Sequence, residues 1–109
     1  MEGPCMRFPR LLLDQPVELE IGKDTIRVDN PTNNVSIGGL FVRRGQLPVG
    51  ARVHIRIAGN SPVEVDGQVQ HSEPSEFGAG IRFNSLSDHA RAALNALIAD
   101  LTRRGLAAA

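Results

Sequence analysis

The sequence has very few of the residues that small domains use for covalent or metal-based stabilisation. Its 109 residues include a single cysteine, Cys5, which cannot form an intramolecular disulfide or a paired-cysteine metal site. The three histidines, His54, His71 and His89, are 17 and 18 residues apart, so no two of them have the spacing of a zinc-binding motif. We therefore expect a protein without a disulfide, a metal ion or another cofactor.

Long hydrophobic runs are also missing. No apolar stretch approaches the roughly 20 residues that a membrane-spanning helix needs. The three leucines at 11–13 are too few for the apolar region of a signal peptide. The sequence therefore predicts no membrane span and a cytoplasmic protein.

Aromatic residues and net charge are both low. Tryptophan and tyrosine are absent, and four phenylalanines are few for a surface on which nucleic-acid bases stack. Lys plus Arg and Asp plus Glu both number 12, so the formal net charge is zero, whereas a general nucleic-acid binder normally has a basic excess. We therefore expect no nucleic-acid partner, and a nucleic-acid-binding small barrel is the weakest of the alternatives.

The charges that are present are unevenly distributed along the chain. Lys23 is the only lysine, and the other basic residues are arginines. Residues 30–63 contain four arginines and no acid, whereas residues 64–90 contain five acids and only Arg82. A small anionic ligand needs only a local positive region of this kind, and arginine suits it because its planar guanidinium bonds phosphates and base edges with two parallel donors.

Most of the chain has the pattern of half-buried β-strands. Apolar and polar residues alternate with a period of two, which puts the apolar ones on a single face. The predicted strands are residues 17–21, 25–28, 35–42, 52–57, 63–70 and 77–83. Six short strands are too few for a sandwich, whereas a closed or nearly closed barrel removes exposed edges. Gly38 and Gly39 interrupt the third strand and indicate a bulge or a close approach of a ligand.

The period changes to about 3.6 from residue 85 onward, which predicts a helix. Ser87 is a good N-cap, Asp88 lies in the first turn and Gly105 suits the position after the last turn. The apolar stripe of this helix consists of Ala90, Leu94, Leu97, Ile98 and Leu101.

The predicted fold class is therefore all-β with one helix, namely a six-stranded antiparallel barrel followed by a C-terminal amphipathic helix. Residues 1–16 form an N-terminal arm in which three prolines oppose regular structure. Residues 17–104 form the single domain, and residues 105–109 form a frayed tail.

The most distinctive stretch lies between residues 33 and 42. Asn34 and Ser36 are two positions apart and would share one face of a strand, while Gly38 and Gly39 would leave backbone amides uncovered. Such a group can hold an anion or a planar polar group. A strand with a bulge and no ligand is the alternative interpretation.

These residues resemble the PilZ domain family. Asn34, Ser36 and Gly39 match its D/N-x-S-x-x-G motif, and residues 80–83 (Gly-Ile-Arg-Phe) look like the G-[VI]-x-F strand that precedes the family's C-terminal helix. The resemblance covers nearly the whole chain, from about residue 7 to residue 101. It implies a six-stranded barrel with a C-terminal helix, no catalytic activity, and binding of the bacterial second messenger cyclic di-GMP.

The resemblance also assigns roles to residues of the arm. The family's second motif, R-x-x-x-R, precedes the first strand, and here Arg10 occupies its second position while Met6 stands at the first. The resemblance implies that Arg10 contacts a guanine edge or a phosphate of the ligand. Arg7, next to Met6, is expected to replace part of the missing arginine.

On the barrel, the resemblance implies that Asn34 bonds the Watson–Crick edge of guanine and that Ser36 bonds a phosphate or a base. Gly38 and Gly39 are expected to permit close backbone approach to the ligand. The predicted ligand-binding residues are thus Arg7, Arg10, Asn34, Ser36, Gly38 and Gly39.

The expected function is that of a stand-alone cyclic di-GMP receptor, monomeric or homodimeric, that signals to an unidentified downstream protein through ligand-induced ordering of its arm. Met6 favours the alternative, a PilZ-like adaptor that has lost the nucleotide and acts by protein–protein contacts in motility or polarity control.

Overall fold

Eight strands and one helix follow one another in the part of the chain that the computed structural model describes, residues 10–29, 33–44, 47–59, 62–73 and 78–106. The strands are β1 (Leu11–Leu13), β2 (Val17–Ile21), β3 (Asp24–Val28), β4 (Asn33–Val35), β5 (Gly39–Val42), β6 (Arg52–Ile57), β7 (Val63–Glu73) and β8 (Gly78–Phe83). The helix is α1 (Asp88–Arg103).

The strands form one antiparallel sheet in the order β1-β4-β5-β8-β7-β6-β2-β3. Helix α1 contacts both β1 and β7, although three strands separate these two in the sheet. One helix can touch both only if the sheet curls, so the architecture is a half-barrel with the helix against its concave side. The predicted class, mostly β with one C-terminal helix, is confirmed.

The prediction of six strands is wrong, and one reason lies in the segment 35–42. This segment contains β5 and the end of β4, two strands that form a hairpin rather than one interrupted strand. The backbone amide of Ser36 donates to the carbonyl of Gly39 at 2.9 Å, which closes the hairpin. The interpretation of Gly38 and Gly39 as a bulge is therefore wrong, because the two glycines lie where the chain reverses direction.

The second additional strand lies in the predicted arm, residues 1–16. The expectation that this arm lacks regular structure is wrong for β1, which pairs with β4. On its other side the amide of Leu12 donates to the carbonyl of Leu106 at 2.6 Å, so Leu106 is held against the sheet rather than frayed. Residues 1–9 and 107–109 lie outside the described residues.

The concave face of the sheet carries the hydrophobic core. The alternation predicted for the central strands is confirmed, because their apolar side chains are buried and the intervening polar ones are exposed or half-buried. Burying one such aliphatic side chain contributes roughly 1.5–3 kcal/mol, so this face holds the sheet and the helix together. The fully buried members of the core include Leu13, Val17, Leu19, Val53, Ile55, Ile57, Val63 and Val69 from the sheet and Leu94 and Leu101 from α1.

The ends of α1 follow the predicted signals. The Oγ of Ser87 accepts a hydrogen bond from the amide of Ala90 at 3.1 Å, which confirms the N-cap. Gly105 follows the helix with a φ of 75°, a conformation that glycine adopts at no steric cost. Helix α1 is too short and too polar to cross a membrane, and the described residues contain no other helix.

A buried polar residue, Asn33, connects strands that are distant in the sheet. Its side chain is completely inaccessible to solvent. Its Oδ1 accepts a hydrogen bond from the amide of Arg43 at 2.8 Å, and its Nδ2 donates to the carbonyl of Val28 at 3.4 Å. Asn33 therefore ties the end of β3 to the end of β5.

Candidate functional site

A row of residues crosses the convex, outer face of four neighbouring strands. Asn34 on β4 lies opposite Phe41 on β5, Phe41 lies opposite Gly80 on β8, and Gly80 lies opposite His71 on β7. Strands in a sheet are about 4.8 Å apart, so the row is roughly 14 Å long. Such a row can support a flat ligand that lies across the strands.

A cleft of about 210 Å³ opens over this row. Among the residues that the structure describes, no acidic side chain lines it, whereas two arginines do, so the cleft suits an anion. The predicted site residues within the described part of the chain all line it, and Arg7 lies outside that part. The lining residues are Arg10, Asn34, Ser36, Gly38, Gly39, Leu40, Phe41, Gln70, His71, Gly80, Ile81 and Arg82.

Two of the predicted site residues bond each other at the tip of the β4–β5 hairpin. The amide of Gly38 donates to the Oγ of Ser36 at 3.2 Å, so this amide is not uncovered as the sequence suggested. A hydroxyl that accepts a bond still has its own hydrogen to donate. Ser36 can therefore offer a donor to an anion or to a base oxygen at the rim of the cleft.

Gly39 has a structural reason to be glycine. A Cβ atom at this position would lie 2.5 Å from the carbonyl oxygen of Ile81, a backbone atom of the paired strand β8. Glycine thus permits close approach of β8, whereas the sequence suggested close approach of a ligand. Its place in the D/N-x-S-x-x-G motif has a packing explanation that does not require a bound molecule.

Asn34 and Arg82 have unused hydrogen-bonding groups within the described structure. Neither side chain makes a hydrogen bond or an ion pair there, although Asn34 is only half-exposed. A carboxamide carries two donors and an acceptor, and a guanidinium carries five donors in a planar fork. Together they can recognise a planar polar edge and a negative charge.

The aromatic groups of the cleft were not predicted from the sequence. The guanidinium carbon of Arg10 lies 6.0 Å from the centre of the Phe41 ring, and that of Arg43 lies 4.8 Å from it, both within the range of cation–π attraction. His71 lies next to Phe41, with ring centres 6.4 Å apart and an angle of 34° between the rings. The Phe41 ring therefore lies within reach of an arginine that lines the cleft.

A signal for these rings does exist in the sequence. Gly78 and Gly80 are two residues apart on β8 and so share a face. A Cβ at Gly78 would overlap the ring of Phe41, and a Cβ at Gly80 would overlap the ring of His71. Paired glycines on one face of a strand can thus mark the places where rings from neighbouring strands lie on its backbone.

The outer face of β2, β6 and the first part of β7 is different. The Nδ1 of His54 lies 2.8 Å from the Oδ1 of Asp66, and its Nε2 lies 3.0 Å from the Oε1 of Glu64. These hydrogen bonds, first to Asp66 and then to Glu64, raise the pKa of His54 above its usual value. Arg56 pairs with Glu18 at 2.9 Å and approaches Glu64 at 3.7 Å.

This cluster is not a metal site by its geometry. Among the residues described, no group of three or more His, Cys, Asp and Glu side chains could hold a metal ion. Three carboxylates face one arginine and one histidine here, so the cluster is net negative and does not suit an anionic ligand. The outer-face cleft is the better candidate for binding.

Comparisons with known proteins agree with this architecture. A family model described as PilZ domain matches residues 6–100. The crystal structure of the PilZ domain of CeSA from a cellulose-synthesising bacterium is similar with a TM-score of 0.64 and 17% identity, over 85% of this chain and 97% of that one. The Bacillus subtilis inhibitor of motility (MotI/DgrA) is similar with a TM-score of 0.67 and 16% identity, over 91% of this chain and 50% of that one. No curated protein sequence matches the chain.

Proposed function

Because the chain belongs to the PilZ domain family, we propose that it is a cyclic di-GMP receptor that binds the nucleotide in the outer-face cleft. PilZ domains bind this ligand rather than a cofactor. The observation that carries the proposal is the convergence of Arg10, which precedes β1, with Asn34, Ser36, Gly38 and Gly39 of the β4–β5 hairpin on one cleft, whose described lining contains no acid.

The chemistry of the cleft suits the ligand. Cyclic di-GMP carries two negative charges and two guanine bases. Arg10 and Arg82 supply positive charge, and a bidentate arginine contact to a base edge contributes about 1–3 kcal/mol of discrimination. The unbonded carboxamide of Asn34 suits the donors and acceptors of a guanine edge, and the Ser36 hydroxyl has a hydrogen to donate.

The position of β1 supports a relay from the cleft to a partner protein through ordering of the N-terminal arm. Arg10 directly precedes β1, which pairs with the strand that carries Asn34. Beyond the end of β1, the Nη1 of Arg104 lies 3.0 Å from the Oδ2 of Asp14, and this ion pair lowers the pKa of Asp14. A displacement of Arg10 is thus connected through β1 to the C-terminal end of α1.

Isothermal titration of the full chain with cyclic di-GMP tests the proposal. We expect saturable binding to the wild type, loss of binding in Arg10→Ala, and unchanged binding in Arg91→Ala, which removes an exposed arginine of α1 outside the cleft. No heat and no shift of the melting temperature at high-micromolar nucleotide would overturn it.

A second candidate is an adaptor that acts without the nucleotide. Met6 stands where the family motif has its first arginine, and one structural neighbour is described as an inhibitor of motility. If the nucleotide site has been lost, a pull-down recovers the same partner with and without cyclic di-GMP. In that case Met6→Arg should create binding that the wild type lacks, whereas in a functional receptor it should only strengthen existing binding.

A further inference from the structure

An irregularity in β7 turns one side chain toward the cleft. Along this strand the odd-numbered residues from Val63 to Val69 are buried, so unbroken alternation would bury His71 as well. The register shifts between Val69, which lies opposite Ile81, and His71, which lies opposite Gly80. Gln70 is the extra residue, and both it and His71 are exposed. Bulges commonly redirect a side chain next to a functional site, and this one directs His71 into the cleft.

The redirected ring lies directly against the backbone of β8. A Cβ at Gly80 would overlap the Cε1 of His71 and would lie 2.8 Å and 2.9 Å from its Nε2 and Nδ1. Any residue other than glycine would push the ring away, so the missing side chain at Gly80 is what allows the imidazole to lie on the β8 backbone. The side chain is nevertheless exposed, and the Phe41 ring borders it on the β5 side. His71 therefore presents an open ring surface to the cleft.

The rest of the cleft indicates what such a surface would bind. Arg10 and Arg82 attract an anion, and the described part of the cleft wall contains no acid that would oppose them. Imidazole rings are among the aromatic groups on which nucleic-acid bases stack. Asn34 and His71 stand at opposite ends of a row about 14 Å long, too far apart to hold the same purine. The two residues therefore suit two different bases of one dinucleotide.

We propose that His71, seated on Gly80, is the stacking surface for one purine base of an anionic dinucleotide whose other base is bonded by Asn34. This inference rests on the proposed function, since it assigns a further contact to the same cleft. Stacking is tolerant of base identity because every base has a π face. His71 thus contributes affinity, whereas Asn34 selects the base.

Titrations with cyclic di-GMP on matched variants test this assignment. His71→Ala should weaken binding on the order of 5- to 150-fold, the range expected for loss of one stacked base, whereas His71→Phe keeps a ring and should bind within a few-fold of the wild type. Gly80→Ala should weaken binding as much as His71→Ala, because the new methyl displaces the ring. In the double variant the two effects should not add, since the ring is already gone.

Histidine NMR signals give a readout that does not depend on affinity. With no tryptophan or tyrosine and only three histidines, the imidazole signals can be assigned by single substitutions. A base stacked on His71 should shift its ring protons through the ring current of the purine. His54, in the ion-paired cluster, and His89, on the exposed side of α1, should not move.

The outcomes separate the two proposals. If the wild type does not bind cyclic di-GMP, the proposed function and this inference are both overturned. If the wild type binds and Arg10→Ala does not, but His71→Ala binds normally and the His71 signals stay unshifted, only the role of His71 is overturned. Melting temperatures of all variants show whether each is folded, and the wild-type NMR result stands even if a variant fails to fold.

Discussion

The outer face of the sheet has two halves that differ in how far their polar side chains bond one another. On the paired half, formed by β2, β6 and the first part of β7, Glu18, Arg56, Glu64, His54 and Asp66 form ion pairs with one another. On the cleft half, formed by β4, β5, β8 and the end of β7, Asn34 and Arg82 have no hydrogen bond or ion pair within the described structure. The cleft half therefore combines unused donors and acceptors with arginine charge, whereas these five side chains of the paired half already bond one another.

The bulge in β7 is the border between the two halves. Residues of this strand before Val69 belong to the paired half, and Gln70 and His71 belong to the cleft half. One strand thus serves both surfaces because its alternation breaks once. A strand without the bulge would continue the paired half and would bury His71 in the core.

Of the substitutions in the two halves, Gly39→Ala is expected to have the largest effect on stability. The new Cβ meets the Ile81 carbonyl, a backbone atom that cannot move without shifting β8, so the variant should lose about 1–3 kcal/mol or more of stability. For a domain of this size each kcal/mol lowers the melting temperature by roughly 4–8 °C. Thermal unfolding measures the loss, and Gly80→Ala is the control because its obstacle is a side chain that can swing away. Equal melting temperatures for both variants would contradict this account.

Two adjacent asparagines allow a structural role and a binding role to be separated. Asn33→Ala removes a buried acceptor and a buried donor and should cost about 1–3 kcal/mol, with little direct effect on the cleft. Asn34→Ala should change stability by less than about 0.5 kcal/mol, because its side chain has no partner to lose, but it should weaken cyclic di-GMP binding. Chemical denaturation and titration of both variants separate the two roles. A large stability loss in Asn34→Ala would mean that the Asn34 side chain already has hydrogen-bonding partners within the protein.

The smallest effect concerns the paired half and its pH dependence. The folded state raises the pKa of His54, so the stabilisation is complete below its unfolded pKa of about 6.5 and is lost as the pH rises through the higher folded-state value. His54, Glu64 and Asp66 are 35%, 54% and 70% exposed, so solvent screening should hold the effect to about 1 kcal/mol or less. Urea unfolding between pH 5.5 and 8.5 should show wild-type stability falling relative to His54→Gln. If the wild type exceeds His54→Gln in unfolding free energy by an amount that is constant with pH, or that grows as the pH rises, the result would argue against the ion pairs.

Local pattern was sufficient for much of the fold. The period-two alternation of β2, β6 and β7, the Ser87 cap and the turn at Gly105 are short-range features, and each was predictable from neighbouring residues. The extra strands were not, because β1 exists only through its pairing with β4 and its bond to Leu106. Prolines around it suggested an irregular arm, and tertiary contacts overcame that local preference.

The residues of the cleft also divide into those that local sequence predicts and those that depend on tertiary contacts. The motif residues from Asn34 to Gly39 could be identified because they are close in sequence. Phe41 and His71 were not identified, since they meet only across Gly80, and a bulge reverses the side on which His71 lies. The reason for Gly39 was also hidden, because the atom that requires a glycine there belongs to Ile81 on another strand.

The small size of the cleft affects what a partner protein would meet. Its volume of about 210 Å³ is below the roughly 300–1,000 Å³ of pockets that enclose a small molecule. The described residues would therefore cover a cyclic dinucleotide on this convex face only in part, and the phosphates and sugar edges that they leave uncovered would face outward. A downstream protein could then recognise a composite surface formed by nucleotide and protein together. The nucleotide would in that case be part of the interface between this protein and its partner.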